Sequence, residues 1–301
     1  MKRLSTLISI MLITSLLLIG CANKESGNSG QELDNFVIAY LPIEGGEGVQ
    51  KSNKEFENQL SEEIGIPVEA FQATSYNAAI EAMKNNKADM VVMPPFAYIL
   101  GVERANIEAI AGASTPGGVQ SHIIVGKDSD IVSLEDLEGK SFGFVEPSSS
   151  SGHLIPKTML VQKLGVSAEE LEKDFFENVQ FVGAQDSAVI GVVNGQYDAA
   201  AVASPVPRSL VERGVIEDGS YRIIAESEVT PPPPVSVRSE IPDEIKQQVK
   251  DFLLTYDGGP EFLENLLGMK DATFTDVNDS TYDFYRDISK SLGMSPEELM
   301  N

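Results

Sequence analysis

The sequence predicts an α/β protein with doubly wound sheets. Short apolar runs alternate with segments that carry a helical pattern of apolar residues, and turn residues separate them. This alternation is typical of helices that cover both faces of a sheet. The chain has 301 residues, enough for two modest lobes or one large domain, and 42% of them are hydrophobic, as in ordinary globular proteins.

Residues 1–20 are predicted to be an export signal that is no part of the fold. Lys2 and Arg3 form a short positive start, and the apolar run that follows carries no charge. The run ends in the sequence Leu-Ile-Gly-Cys at residues 18–21, which resembles a bacterial lipoprotein processing box. That resemblance implies cleavage before Cys21 and a diacylglycerol group on its sulfur.

The segment after the signal is predicted to be a tether. Cys21 is the single cysteine of the sequence, so a disulfide within one molecule and a zinc site made of cysteines are excluded. Residues 21–34 are polar and contain Gly and Ser, as flexible linkers do. No later run of about 20 apolar residues follows, so a lipid anchor without a membrane span is expected.

The first block of elements is predicted between residues 36 and 93. Phe56, Leu60 and Ile64 are four residues apart, which places them on one helix face, and Gly65 supplies the stop. Around this helix the pattern predicts strands at 36–40, 68–72 and 90–93 and a second helix at 77–86.

A second block and a helical C-terminal part follow. The pattern predicts strands at 123–125, 142–145, 179–182 and 199–202, with helices at 155–164 and 187–194. From Pro242 onward the pattern is mostly helical. Thr115–Gly118 and Thr230–Pro234 are rich in Pro or Gly, and the four prolines of the second hold the backbone extended. Both are predicted to connect two lobes, with an ordinary surface loop as the alternative.

The most informative segment is 142–156, with the sequence FGFVEPSSSSGHLIP. A strand leads into four serines, a glycine and then a helix-like run. Serine hydroxyls at a helix N-terminus lie beside unpaired backbone N–H groups at the positive end of the helix dipole. This arrangement can bind a phosphate-like anion without a cationic side chain. The same residues also suit a plain N-cap in a Ser-rich loop.

Residues 120–156 resemble the phosphonate/phosphite-type solute-binding proteins of ABC importers. That family has a similar KDS turn, a Leu-x-Asp-Leu-x-Gly-Lys segment and an acid-Pro-Ser-Ser-Thr-Ser-Gly loop. Residues 76–98 resemble the family's Tyr-x-x-x-(I/V)-x-Ala stretch and its Pro-x-x-Tyr, and 183–201 its later helix and Asp-x-Ala-Ala strand. Residues 274–293 match less closely, through Asp279 and Tyr282. The resemblance covers nearly the whole mature chain.

The resemblance implies a type II periplasmic-binding-protein fold, with two α/β lobes, two crossovers and a central ligand cleft. On this basis lobe 1 is expected at 35–121 and 222–301, and lobe 2 at 122–221. The expected ligand is a small phosphorus oxyanion: a phosphonate, phosphite or phosphate-like anion. No cofactor and no metal site are expected.

The expected ligand-binding residues come from several segments. The resemblance implies that the serine turn donates hydrogen bonds and that Tyr98 faces the cleft. Tyr40 ends the first strand, where cleft sites of α/β folds are found. His153 follows the serines and could add a donor, or lie at a solvated helix start. The expected set is Ser149, Ser150, Ser151, Tyr98, Tyr40, His153 and Gln185.

Three departures from the family bear on the ligand. Gln185 stands where the family usually has His, and Ala203-Ser204 where it often has an acid. The family also has an Asp in the proline-containing crossover, and here that position is Pro232 or Pro233. Such acids would suit an ammonium group, so an amine-bearing ligand is disfavoured unless Glu44, Glu47 or Glu146 substitutes.

The resemblance also implies the partners. These are an ABC permease with its cytoplasmic ATPase and, through acylated Cys21, the outer face of the cell membrane; a monomer is expected. The net charge of −24 argues against nucleic acid as a partner. No Gly-x-Ser-x-Gly, Walker or dinucleotide-binding motif occurs, so an enzyme such as a serine hydrolase is the weaker class. A binding protein for another solute and a sensory surface lipoprotein remain as alternatives.

Overall fold

The computed structural model describes residues 33–42 and 47–293. The predicted signal segment, Cys21 and most of the tether lie outside the described residues, as do Glu44 and the side chain of Glu47. No helix among the described residues is long and apolar enough to cross a membrane.

The first sheet has six strands in the order β11-β4-β10-β3-β1-β2. These strands are β1 (Phe36–Tyr40), β2 (Val68–Gln72), β3 (Met90–Val92), β4 (Ile107–Ser114), β10 (Pro234–Arg238) and β11 (Thr273–Thr275). The strands predicted at 36–40, 68–72 and 90–93 are confirmed. They form the parallel part of the sheet, in which β1 pairs with β2 and with β3.

The second sheet has five strands in the order β7-β6-β8-β5-β9. These strands are β5 (Ser121–Gly126), β6 (Ser141–Phe144), β7 (Asn178–Phe181), β8 (Ala199–Ala203) and β9 (Tyr221–Glu226). Strand β6 runs parallel to β7 and β8, whereas β5 runs antiparallel to β8 and β9. The prediction of four strands in this block is confirmed, and β9 is the strand that sequence reasoning missed.

Both sheets are mixed, with parallel and antiparallel pairs of strands, and the predicted α/β class is confirmed. Strand β10 runs antiparallel to β3 and β4, and β11 runs antiparallel to β4. The reason is the route of the chain. Strand β10 is reached from the other sheet through the prolines, not through a helix packed on its own sheet, so the right-handed parallel crossover rule does not govern it.

The chain passes between the sheets twice, at residues 115–120 and 227–233. A single antiparallel bridge between Val119 and Thr230 joins the two connections. The two predicted crossovers are therefore confirmed. The predicted lobe boundary at residue 222 is corrected, because β9 (Tyr221–Glu226) is hydrogen-bonded to β5 in the second sheet and the return crossing comes only after Glu226.

Helices cover the sheets. They are α1 (Glu47–Ile64), α2 (Tyr76–Lys84), α3 (Pro95–Ala105), α4 (Ile155–Leu164), α5 (Ala168–Glu170), α6 (Gln185–Val193), α7 (Pro205–Glu212), α8 (Asp243–Thr255), α9 (Gly259–Leu267) and α10 (Asp283–Ser291). Shorter turns are the 3₁₀ segments Glu135–Leu137 and Asp279–Tyr282 and the π-helical segments Ser150–Leu154 and Leu171–Phe175.

Apolar side chains hold α1 and α9 together beside the first sheet. The predicted face of α1 is confirmed, since Phe56, Leu60 and Ile64 are all buried, and the Phe56 ring stacks on Phe262 of α9 at 4.1 Å between centroids. Gly65 ends α1 with a φ of +67°, a conformation that glycine adopts without strain.

A buried ion pair ties the return strand to the first lobe. Asp89 accepts a 2.7 Å hydrogen bond from the Val37 amide with one carboxylate oxygen. Its other oxygen accepts from the guanidinium of Arg238, at 3.0 Å from Nε. Both carboxylate oxygens of Asp89 therefore accept hydrogen bonds in the buried interior. The charged bond to Arg238 holds β10 in register beside β3.

Candidate ligand cavity

A cavity of about 110 Å³ lies between elements of the two sheets. Its walls are mostly apolar, and the polar atoms come from a few side chains. The lining residues of the first-sheet elements include Tyr76 and the start of α3 at Pro94-Pro95. Those of the second-sheet elements include Ser150, Ser151 and Gln185.

The serine turn is built by local geometry. Ser149 is the N-cap of the π-helical segment, and its Oγ accepts a 3.1 Å hydrogen bond from the Gly152 amide. The Val145 amide donates to the Gly152 carbonyl at 3.0 Å, so the turn folds back on the end of β6. A Cβ on Gly152 would lie 2.3 Å from Cγ2 of Val145. The close approach therefore requires glycine at this position.

The serines of this turn have different roles. Ser150 lines the cavity, and its Oγ accepts a 2.8 Å hydrogen bond from the Phe96 amide in the first turn of α3. Ser151 also lines the cavity, while its carbonyl accepts a 2.6 Å hydrogen bond from the Ser121 hydroxyl. Ser149 is fully buried, and its hydroxyl oxygen accepts the capping hydrogen bond from Gly152. Two of the three expected serines thus face the cavity, and Ser149 positions them.

Gln185 also lies at the cavity wall, at the start of α6. Its Oε1 accepts a 2.9 Å hydrogen bond from the Ala203 amide at the end of β8. This contact occupies one lone pair of the Gln185 amide oxygen, and the NH₂ group of the side chain supplies its donors. Burial raises the pKa of the neighbouring Tyr76, and a hydrogen bond with Gln185 partly opposes this effect. Gln185 thus presents a neutral donor where a histidine is usual in the resembling family.

The structure places Tyr98 away from the cavity lining. Its hydroxyl donates a 2.8 Å hydrogen bond to Asp279 and accepts one from the Ala109 amide at 3.3 Å. Its ring packs edge-on against Tyr282 at 4.8 Å. Tyr98 is buried in the core, where Asp279, far along the sequence, accepts the hydrogen bond of its hydroxyl. In this structure Tyr98 anchors the C-terminal segment and is not among the residues that line the cavity.

Tyr40 is likewise buried in the core and does not line the cavity. It belongs to the apolar cluster of Phe56 and Met90, with 6% of its surface exposed. Burial, reinforced by the nearby Glu57 carboxylate, raises its pKa. The alternation of side chains along β1 turns this residue toward α1, so the position at the end of the strand alone did not determine its direction.

His153 follows the serine turn and does not line the cavity. Its Nδ1 lies 2.8 Å from the Pro147 carbonyl oxygen, and its ring packs edge-on against Phe144 and Phe181. Its Nε2 lies 3.6 Å from Glu172. Burial opposes ionisation of Glu172, but His153 and Lys157 outweigh it and hold the pKa of that carboxyl at about 2. The contacts of His153 in this structure are therefore structural, and it is not among the residues that line the cavity.

Glu146 is a buried carboxyl that joins the two halves of the cleft. Its two oxygens lie 3.2 and 3.0 Å from the Tyr76 amide, at the N-terminus of α2. Only 7% of its surface is exposed. Burial raises its pKa to about 7, although the hydrogen bond from the Tyr76 amide acts in the opposite direction. Glu146 contacts the N-terminus of α2, and Ser150 contacts Phe96 at the N-terminus of α3. These two hydrogen bonds join the second-sheet elements to two helices of the first sheet.

Several cavity residues were not predicted. Asp186 and Arg213 form an ion pair of 3.1 Å, and both line the cavity. Thr230 and Tyr285 also line it. These residues are distant in sequence and no local motif connects them. Only the prolines of the crossover carried a signal, and Pro231 and Pro233 do lie in the wall.

Two α/β sheets, two crossovers and a cavity between them are the features of the type II periplasmic-binding-protein fold. A family model described as ABC transporter, phosphonate, periplasmic substrate-binding protein matches residues 38–282. The chain belongs to this family, whose members are binding components of transporters.

Two curated relatives agree with this assignment. The phosphate-import protein PhnD of Mycolicibacterium smegmatis is 27% identical over 205 residues, which cover 65% of this chain and 64% of the relative. The phosphonates-binding periplasmic protein of Escherichia coli is 28% identical over 214 residues, which cover 68% of this chain and 61% of the relative. The matched region thus spans less than two thirds of either relative.

Solved structures share the fold. A binding protein component of an ABC phosphonate transporter from Pseudomonas aeruginosa superposes with a TM-score of 0.76 at 24% identity, over 89% of this chain and 90% of that one. PhnD1 of Prochlorococcus marinus, in complex with methylphosphonate, has a TM-score of 0.75 at 17% identity, over 87% of this chain and 99% of that one. The type II fold expected from the sequence is confirmed.

Proposed function

We propose that this protein is the extracytoplasmic binding component of an ABC importer and that it captures a small phosphorus oxyanion. The observation that carries the proposal is the serine turn, which presents Ser150 and Ser151 to a cavity opposite the N-terminal turn of α3. The family match and the names of the relatives support the ligand class: phosphonate, phosphite or phosphate-like anions.

The chemistry of the turn suits an oxyanion. The Ser150 oxygen accepts from the Phe96 amide, so its own proton remains to be donated. The turn begins a helical run that continues into α4, and α3 begins opposite it; both place partly positive N-termini at the cavity. Neutral donors at two helix ends can thus hold a small anion, and Arg213, which also lines the cavity, is paired with Asp186.

The cavity walls favour a ligand with a small apolar substituent. Prolines from the crossover and from α7 line it, together with Leu266 and Met269. The two nearby acids have partners, since Asp186 pairs with Arg213 and Glu146 accepts from the Tyr76 amide. Among the described residues an ammonium group would find no carboxylate without a partner beside the cavity, and its desolvation would cost binding free energy. We therefore favour a phosphonate with an uncharged substituent over an aminophosphonate.

Binding without catalysis is the proposed role. The imidazole of His153 contacts the Pro147 carbonyl and does not reach a cavity serine. A serine nucleophile needs a base within hydrogen-bond reach. The two contacts across the cleft, Glu146 with Tyr76 and Ser150 with Phe96, mark where the lobes would separate to admit ligand by hinge motion.

Location and partners complete the proposal. We infer a lipid anchor at Cys21 on the outer face of the cell membrane, supported by the processing-box resemblance at residues 18–21. The closed, liganded monomer would deliver its solute to a permease driven by a cytoplasmic ATPase. The lobes would comprise residues 35–120 with 227–293, and 121–226, once the boundary is placed after β9.

The test is a binding assay on the soluble chain from Ala22. Phosphate, phosphite, methylphosphonate, 2-aminoethylphosphonate and sulfate would be screened by thermal shift, because a ligand of the native state raises the melting temperature. Calorimetry would then compare Ser150→Ala with the control Ser148→Ala, whose buried hydroxyl has no partner among the described residues.

We expect Ser150→Ala to weaken binding roughly 10- to 100-fold, as for loss of a hydrogen bond to a charged group. Ser148→Ala should bind as the wild type does. Equal affinity of both variants would remove the serine turn from the site. A shift with an uncharged solute and with none of the phosphorus compounds would overturn the ligand class.

A further inference from the structure

The C-terminal helix brings an aromatic side chain to the cavity. Tyr285 of α10 lines it beside the serine turn and the crossover. The segment is anchored through Asp279, which accepts hydrogen bonds from Tyr98 at 2.8 Å and from Arg286 at 2.7 Å. Tyr285 is thereby held in a fixed position by contacts that lie outside the cavity.

The hydroxyl of Tyr285 has no hydrogen-bond partner of normal geometry among the described residues, although its side chain is fully buried. Its polar neighbours are the hydroxyls of Ser150 and Thr230. Burial raises its pKa, so the group is a neutral O–H donor at any physiological pH. An unsatisfied buried hydroxyl destabilises a fold, and such groups call for an explanation.

We propose that the Tyr285 hydroxyl donates a hydrogen bond to the oxyanion held at the serine turn. The proposal rests on the proposed function and adds a ligand-contacting residue from the C-terminal helix. The buried hydroxyl without a partner destabilises the unliganded protein, and a hydrogen bond from it to an anion oxygen would offset that destabilisation in the complex. Ser150 beside it defines where that oxygen lies.

Tyr282 provides a matched control on the same segment. It is also fully buried, and its hydroxyl also has no partner among the described residues. It packs against Tyr98 and does not line the cavity. Removing either hydroxyl therefore relieves a similar desolvation cost, but only the Tyr285 hydroxyl is placed to meet a ligand.

The experiment compares Tyr285→Phe, Tyr282→Phe and Ser150→Ala in the soluble chain from Ala22. Each is titrated with methylphosphonate and with phosphate by calorimetry, and each is melted without ligand. We expect Tyr285→Phe to lose about 10-fold or more in affinity, the effect of a lost hydrogen bond to a charged acceptor. Its melting temperature should equal or exceed that of the wild type. Tyr282→Phe should keep wild-type affinity.

The outcomes separate this inference from the function it rests on. If Ser150→Ala weakens binding and Tyr285→Phe does not, the inference is overturned and the serine-turn site stands. A lower melting temperature of unliganded Tyr285→Phe would also overturn it, by showing that the hydroxyl is already paired. If neither anion binds the wild type, the proposed function fails, and this role of Tyr285 fails with it.

Discussion

Replacing Glu146 with Gln should remove a specific part of the pH dependence of stability. The carboxyl is buried, and its pKa is raised from 4.5 to about 7. A raised carboxyl pKa means that the folded state binds the proton more tightly than the unfolded state. Its contribution to stability therefore decreases as pH rises from about 4.5 to about 7, and is constant above that range.

The size of the effect follows from the two pKa values. Linkage gives a loss of about 2.5 kcal/mol between pH 5 and pH 8. Glutamine is a neutral isostere of the protonated carboxyl and can still accept from the Tyr76 amide, which Glu146 now contacts at 3.0 Å. The variant should therefore keep the cleft contact and lack this loss.

The assay is urea unfolding of wild type and variant at pH 5 and pH 8. The free energy of unfolding should fall more steeply with pH in the wild type, by about 2.5 kcal/mol, since other groups cancel in the comparison. Glu172→Gln is the control. That carboxyl has its pKa lowered to about 2, so its contribution is lost only below about pH 4.5. Parallel pH curves for wild type and Glu146→Gln would refute the reasoning.

Three further predictions concern the turn, the core and the ligand. Gly152→Ala should destabilise the fold by about 1–3 kcal/mol and weaken anion binding, because the new Cβ meets Val145 at 2.3 Å; Gly126→Ala, with its nearest atom at 3.6 Å, should do neither in urea unfolding and calorimetry. Asp89→Ala should cost about 3–5 kcal/mol in urea unfolding, because Arg238 is left buried without its carboxylate; a cost below about 1 kcal/mol would contradict this. Ethylphosphonate should bind more tightly than 2-aminoethylphosphonate in competition calorimetry, and the reverse order would contradict the apolar walls.

Local patterns predicted the elements well where one sheet face and one helix face decide the structure. Strands β1 and β2 and helix α4 occupy the predicted residues. The serine turn was also readable, because a strand, a turn and a helix start are contiguous in the sequence. Strands β10 and β11 were not, since their partners lie more than a hundred residues away and the antiparallel direction depends on the crossover.

The direction of their side chains explains why Tyr98 and His153, two of the expected site residues, do not line the cavity. Tyr98 lies on a helix that does border the cavity, but its hydroxyl bonds to Asp279, 181 residues later. His153 is beside the serine turn, and the packing of Phe144 and Phe181 turns it away. In both cases the residue type fitted the expected role, and a contact formed only on folding decided the orientation.

The sequence by itself determined the α/β fold class and the turn that carries Ser150, and it indicated two candidate crossovers. These features depend on short-range periodicity, on prolines that hold the backbone extended and on donors supplied within one turn. Only the tertiary structure decided that Glu146 meets Tyr76, that Asp186 meets Arg213 and that Tyr285 reaches the cavity. Such contacts join residues distant in sequence, and the packing of whole helices and sheets determines them.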